Sequence, residues 1–231
     1  MTTASPTTPP TADSPVVLRS DDDRIATLTL DSPENRNALS SRLVGELAAH
    51  LCDVEADDAV RAVVLTHTGN TFCAGADLAE GAREGGPAKG VARLVALLRQ
   101  IIELDKPVVA KVDGNVRAGG LGLFAACDLT VAGLTSSFAL TEARLGLSPA
   151  VISLTVLPRL TDRAASRYYL TGDRFDATEA ERIGLVTITA ENPDEVVGEL
   201  AASFRRCSPQ GLAASKPVSY THLTLPTIYS V

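Results

Sequence analysis

Tryptophan is absent from the chain, and aromatic residues make up only 4% of it. The core is therefore expected to consist of Ala, Val, Leu and Ile. Histidine is nearly as scarce (His50, His67 and His222), and the four cysteines, Cys52, Cys73, Cys127 and Cys207, include no CxxC pair. No His/Cys grouping has the spacing of a zinc site, so no metal is expected. The N-terminus lacks the basic start and apolar stretch of a signal peptide, and the Arg of a mitochondrial leader. The cysteines are accordingly expected to be reduced thiols of a cytoplasmic protein. No apolar run reaches the roughly 18 residues of a membrane span. Positive charge is also in short supply: 21 Lys and Arg against 28 Asp and Glu give a net charge of −7. That balance argues against a general nucleic-acid or anionic-membrane partner, while leaving room for a local basic site facing a phosphorylated ligand.

What is present suffices for one sizeable domain: 231 residues, 45% of them hydrophobic. Residues 1–14 are a Thr/Pro/Ala/Ser leader expected to be flexible. Val16–Arg19 and Ile25–Leu30 read as a hairpin turning at DDDR. Ser40 caps an expected amphipathic helix with apolar residues at Leu39, Leu43, Val44, Leu47, Leu51 and Val54. Val60–Thr66 reads as a buried strand, HTGNTFCAGAD as a Gly-rich loop, and Val91–Leu104 as a helix. Pro107–Val112 is another strand, DGNVRAGG another Gly-rich loop, LGLFAACD a helix and LTVA a strand. Strand, Gly-rich loop and helix thus recur twice, the mark of an α/β domain with crossover units. Ala164–Leu170, Ala177–Ile183 and Pro193–Arg206 read as helices below that core. The segment 217–231, PVSYTHLTLPTIYSV, has no helical period, and its first part back-translates to the transposase adapter of sequencing-library preparation. The expectation is a core of residues 15–216, a natural protein ending near Lys216 and a non-native tail at 217–231.

Both Gly-rich loops run from a strand into a helix. In FCAGADL, residues 72–78, small side chains let a ligand approach the backbone, and Asp77 stands where a helix cap belongs. The RAGGLG loop, residues 117–122, offers a second set of free N–H groups at a helix start. Two converging N–H donors can form an oxyanion hole, in which one donor is worth about 3 kcal/mol of barrier. A tight turn is the bland reading of either loop alone; the pair, in this order, is more telling.

FCAGADL, PVVAKVDGNVRAGGLGLFAACDLTVA and FALTEARLGLSP together resemble the crotonase (enoyl-CoA hydratase/isomerase) family, with support from NRNALS and LTGDRFDATEAERIGLV. The resemblance runs from about residue 15 to Lys216. It implies an α/β fold, a crotonase-like spiral of ββα units (the ClpP/crotonase fold), with the family's C-terminal helical segment missing. It also implies an acyl-CoA thioester substrate, no separate cofactor, and assembly as a homotrimer or hexamer when the natural C-terminus is present. By position, Ala76 and Gly119 match the two oxyanion-hole N–H groups, and Ala74 matches the backbone site for the adenine end of coenzyme A. Gly75, Asp77, Leu78 and Gly120 flank those positions as ligand-binding backbone. Arg36 falls loosely where a basic residue meets coenzyme A phosphate, and is otherwise a solvated surface arginine.

Hydration of a conjugated thioester needs a base for water and an acid for the α-carbon, and a carboxylate of raised pKa serves both. Family hydratases commonly carry two glutamates. Glu142 matches the second, whereas Gly122 stands where the first belongs. The resemblance therefore implies hydration worked by Glu142, with isomerisation by Glu142 as single proton shuttle, or acyl-CoA binding without turnover, as alternatives. FALTEARLGLSPAVIS with Gly122 is also similar to bacterial hydratases of branched-chain degradation, including methylglutaconyl-CoA hydratases. The bland reading of Glu142 is a helix-start carboxylate stabilised by the macrodipole. Asp128 reads as a backbone-binding residue at a strand start. Gly120-x-Gly122-x-x-Ala125 fits a dinucleotide fingerprint, but two units precede it where that fingerprint opens a domain. No GxSxG elbow accompanies Cys73, which reads as packing rather than a nucleophile.

Overall fold

The computed structural model describes residues 14–83, 86 and 88–220, so most of the leader and the tail beyond Tyr220 lie outside the described residues. Strand β1 (Val17–Asp22) turns into β2 (Ile25–Leu30) as an antiparallel hairpin. The turn is Asp23–Arg24, both with positive φ, as a two-residue turn matched to strand twist requires. Helix α1 (Ser41–Ala56) starts where Ser40 Oγ accepts from Leu43 N, and buries Leu43, Val44, Leu47, Leu51 and Val54. Leu39 is the exception to the expected helical stripe. It stays in the preceding loop and bridges to Ala76.

Strands β3 (Ala62–His67), β5 (Val108–Val112), β7 (Leu129–Gly133) and β10 (Ile188–Ala190) extend the hairpin into a six-stranded sheet of order β1-β2-β3-β5-β7-β10. From β2 onward all its pairings are parallel. A second sheet, β4 (Thr71–Cys73), β6 (Asn115–Arg117), β8 (Ser137–Ala139) and β9 (Phe175–Asp176), is not expected from the sequence. Its strands are two or three residues long and lie largely inside stretches read as loops. Each of β4, β6 and β8 follows a strand of the large sheet, so strand–strand–helix is the repeating unit, as in the ββα spiral. The helices are α2 (Leu78–Arg83), α3 (Ala88–Glu103), α4 (Gly119–Ala126), α5 (Ser153–Val156), α6 (Asp162–Thr171), α7 (Ala177–Arg182), α8 (Pro193–Arg206) and α9 (Pro209–Ser219).

The core is mainly aliphatic, as composition predicts, with one addition. Five of the nine aromatics form a seam along the small sheet. Phe72, Phe124, Phe138, Phe175 and Tyr168 follow one another with ring centroids 5.9, 5.6, 5.7 and 4.2 Å apart. The seam joins β4, α4, β8, β9 and α6, the elements that carry the loops described below.

Helix α9 is not expected from the sequence, and it continues through Pro217 to Ser219, into the segment read as having no helical period. Lys216 is buried, its ammonium 2.9 Å from Asp128 Oδ2 and donating to Ile101 O and Lys106 O. Asp128 also accepts from Val108 N at 2.7 Å, the backbone bond expected of it, and from the Tyr220 hydroxyl at 3.0 Å. Removing one partner of a buried pair leaves the other charge uncompensated. Lys216→Ala is expected to cost about 3 kcal/mol, read as a lower denaturant midpoint at unchanged slope.

Candidate active site

Strands β4, β6 and β8 lie side by side and parallel, with Cys73 opposite Val116 and Arg117 opposite Ala139. Three loops therefore leave the carboxyl ends of three neighbouring strands, the place where α/β proteins bind ligands. Those loops carry Ala76, Gly119 and Glu142.

The first two loops touch backbone to backbone. Gly75 has φ +95, and a Cβ there would come within 2.9 Å of Ala118 Cβ and 3.1 Å of Gly119 N. A Cβ on Gly119 would in turn sit 3.4 Å from Gly75 Cα and 3.5 Å from Ala76 N. Ala118 adopts φ 45, ψ −123, a strained conformation for a residue with a Cβ. It is held there by its N–H donating to Ala139 O and its carbonyl accepting from Leu121 N. Among the described residues, neither the Ala76 N–H nor the Gly119 N–H has an acceptor. Two uncommitted donors on loops this close are what an oxyanion hole requires.

The neighbouring positions divide by how their groups are used. Ala74 N donates to Arg36 O, and Gly75 O accepts from Leu39 N, so this loop is sewn to the NRNAL segment. Asp77 caps α2, its Oδ1 accepting from Glu80 N at 2.9 Å. Leu78 is 65% exposed. It lines, with Leu39, Ala76, Val91, Leu94 and Leu147, a mostly apolar cavity of about 340 Å³. Gly120 is buried against Cys73, whose carbonyl oxygen would lie 2.6 Å from a Cβ at position 120. Arg36 is exposed, with positive φ, at the end of a short 3₁₀ turn. Among the described residues no side-chain partner fixes its guanidinium.

Glu142 opens a 3₁₀ turn, Glu142–Leu145, and is 9% exposed. Its Oε2 is buried without a hydrogen-bond partner among the described residues. Burial pushes its pKa above the ordinary carboxylate range, opposed only by its own backbone N–H. The pull from its own backbone N–H is the helix-start contribution, and burial outweighs it. The turn is fastened through Arg144, which donates to Thr171 O at 2.9 Å and pairs with Asp173 at 2.7 Å.

Gly122 is not an empty place in the wall. A Cβ there would meet Ile152 Cγ2 at 2.5 Å and Ile152 Cβ at 2.9 Å. The space a longer side chain would need is filled by a buried isoleucine.

Cys73 has no nucleophilic setting: burial pushes its thiol up to about 12. His67 accepts from Asp113 N and is kept neutral chiefly by burial. Asn37, fully buried, is a residue that sequence reading missed. Its amide donates to Thr68 O and Thr71 O and accepts from Ser32 N, joining the NRNAL loop to β4. Its place inside NRNALS was the available signal. Among the described residues no cluster of His, Cys, Asp and Glu could hold a metal, and no helix is long and apolar enough to cross a membrane.

The family model for enoyl-CoA hydratase/isomerase matches residues 20–220. The chain belongs to that family. An enoyl-CoA hydratase of Mycobacterium avium has a crystal structure 51% identical to it, with a TM-score of 0.85, covering 91% of this chain and 84% of that one. Human mitochondrial enoyl-CoA hydratase domain-containing protein 2 is 34% identical over 87% of this chain and 70% of its own length. The 1,2-epoxyphenylacetyl-CoA isomerase of Escherichia coli is 32% identical over 79% of this chain and 71% of its own length. The fold is the crotonase fold, and membership excludes the dinucleotide reading of Gly120-x-Gly122. The helix that motif opens, α4, is buried along its whole length.

The fit of Ile152 against Gly122 predicts coupling. Gly122→Glu is expected to destabilise the protein by about 1–3 kcal/mol through overpacking. In the double variant with Ile152→Gly, the loss should fall short of the sum of the two single losses by at least about 1 kcal/mol. Denaturant titration of the four proteins of that cycle checks it.

Proposed function

We propose that the protein is an enoyl-CoA hydratase, adding water across the 2,3 double bond of an acyl-CoA thioester. The observation that carries the reading is the common placement of two uncommitted N–H groups and one buried, partnerless carboxyl at the ends of β4, β6 and β8. The thioester oxygen is held by Ala76 N–H and Gly119 N–H, and the acyl chain lies toward the apolar cavity beside Leu78 and Leu147. Ionised Glu142 takes a proton from water. The water oxygen bonds to C3 while the π electrons move through C2 onto the thioester oxygen, where the two N–H groups stabilise them. Glu142 then returns its proton to C2. One H₂O is added, and both enzyme groups end as they began.

A second reading has its own support. Ile152 makes the wall at Gly122 apolar, where a second glutamate would help hold water. Glu142 alone suffices to move a proton between C2 and C4 of a 3-enoyl-CoA. Loss of absorbance from a trans-2-enoyl-CoA supports hydration; gain of that absorbance from a 3-enoyl-CoA supports isomerisation. In the hydration assay, Glu142→Gln is expected to lower kcat by about 10²–10⁴-fold. A fall of less than tenfold would remove Glu142 from the chemistry.

The direction of the Glu142 shift also sets a pH profile. Water activation needs the ionised form, so kcat/KM should rise with pH and level off only above the ordinary carboxylate range. A profile already flat at pH 5 would contradict it.

A further inference from the structure

Among the described residues three buried side-chain atoms have no hydrogen-bond partner: Arg159 Nη2, whose guanidinium lies over the Tyr220 ring, and two others, one of which is Glu142 Oε2. The other is the Tyr169 hydroxyl on α6. Such groups are uncommon in folded proteins, and each calls for an explanation. The same helix grips the Glu142 turn through Thr171 O and Asp173, the two points where Arg144 attaches. Glu142 and Tyr169 are therefore carried by two elements fastened together.

Few other groups compete for the pair. Arg144 is turned away into its clamp, and Arg167 lies over the Tyr168 ring. Ser153, at the start of α5, lies beside the Tyr169 hydroxyl, but no hydrogen bond is completed between them. Ser153 Oγ already donates to Pro149 O at 2.8 Å. Burial raises the Tyr169 pKa; the nearby Ser153 hydroxyl opposes this and the Glu142 charge adds to it, and the net direction is upward, so the phenol keeps its proton and remains a donor. No titratable neighbour contributes to the raised pKa of Glu142, which comes from burial.

We propose that Tyr169 is a positioning residue for Glu142: its hydroxyl, unpartnered in this structure, is brought by a small shift of the side chain to donate either to the Glu142 carboxylate or to Ser153 Oγ. An ionised carboxylate is the stronger acceptor, so the hydroxyl turns to Glu142 when that group has lost its proton and to Ser153 when it has gained one. This gives the isolated carboxyl a partner in the state that activates water and releases it in the state that delivers a proton to carbon. It stands in for the second glutamate by acting on Glu142 itself, since Ile152 closes the place at Gly122. The inference rests on Glu142 as the acid-base residue of the proposed hydration.

The test is a direct titration of Glu142 in protein labelled with ¹³C at the glutamate carboxyls, its resonance assigned by its loss in Glu142→Gln. A donor to the ionised form lowers a carboxyl pKa, so removing it in Tyr169→Phe should raise that of Glu142 by about one unit, a tenfold change in its ionisation constant. Ser153→Ala removes the competing acceptor and should lower the pKa or leave it unchanged. An unchanged pKa in Tyr169→Phe overturns the proposal, as does an equal rise in Ser153→Ala, which would reveal a general change in the pocket. The acid limb of kcat/KM for a trans-2-enoyl-CoA should follow the titration, moving to higher pH in Tyr169→Phe with little change in KM. A shifted titration with no hydration by any of the proteins leaves the Glu142–Tyr169 coupling standing and removes the hydratase reading.

Discussion

The site depends on one steric condition: two loops must meet with nothing between them but backbone. Gly75 approaches Ala118 and Gly119 so closely that a single added carbon would push them apart. That contact places the Ala76 and Gly119 N–H groups on adjoining loops. It also accounts for the strained dihedrals of Ala118, since the chain must turn sharply to bring Gly119 to the first position of α4. Hydrogen bonds from β8 on one side and from the NRNAL segment on the other keep the two loops in place. The polar geometry thus follows from close packing, the strongest constraint a folded chain can impose.

Behind that contact stands the aromatic seam. A chain poor in aromatics could have scattered them, but here one ring from each of β4, α4, β8, β9 and α6 meets the next. Rings have few rotatable bonds and large contact areas, so a row of them fixes the spacing of the elements it joins. Those elements bear the donors, Glu142 and Tyr169. The strands of the small sheet are too short to be stable by their own ladder, and the seam ties them to helices α4 and α6.

Much of this was legible in the sequence. Helices α1 and α3 show a clear period, β1, β2, β3, β5 and β7 stand out as short apolar runs whereas β10 does not, and α8 falls on its predicted bounds. The Asp77 cap and the backbone bond of Asp128 follow from residue type and position. The small sheet was not legible, because three-residue strands such as Asn115–Arg117 are too short to show alternation. Ala76, Gly119 and Glu142 came from the match to a family pattern. Their closeness required the register of β4, β6 and β8. Tyr169 and Ile152 carried no signal at all: an aromatic and an isoleucine in apolar stretches look like core until the groups opposite them are known.

Ile152 and Gly122 also bear on which ancestors and descendants this sequence can have. A glutamate at 122 while isoleucine holds 152 enters only at a cost in stability, because even the Cβ of Ile152 must shift. Shrinking 152 first would pass through an intermediate with a hole in the core and no glutamate yet to fill it. Either order of substitution passes through a less stable intermediate, so the pair resists change one residue at a time.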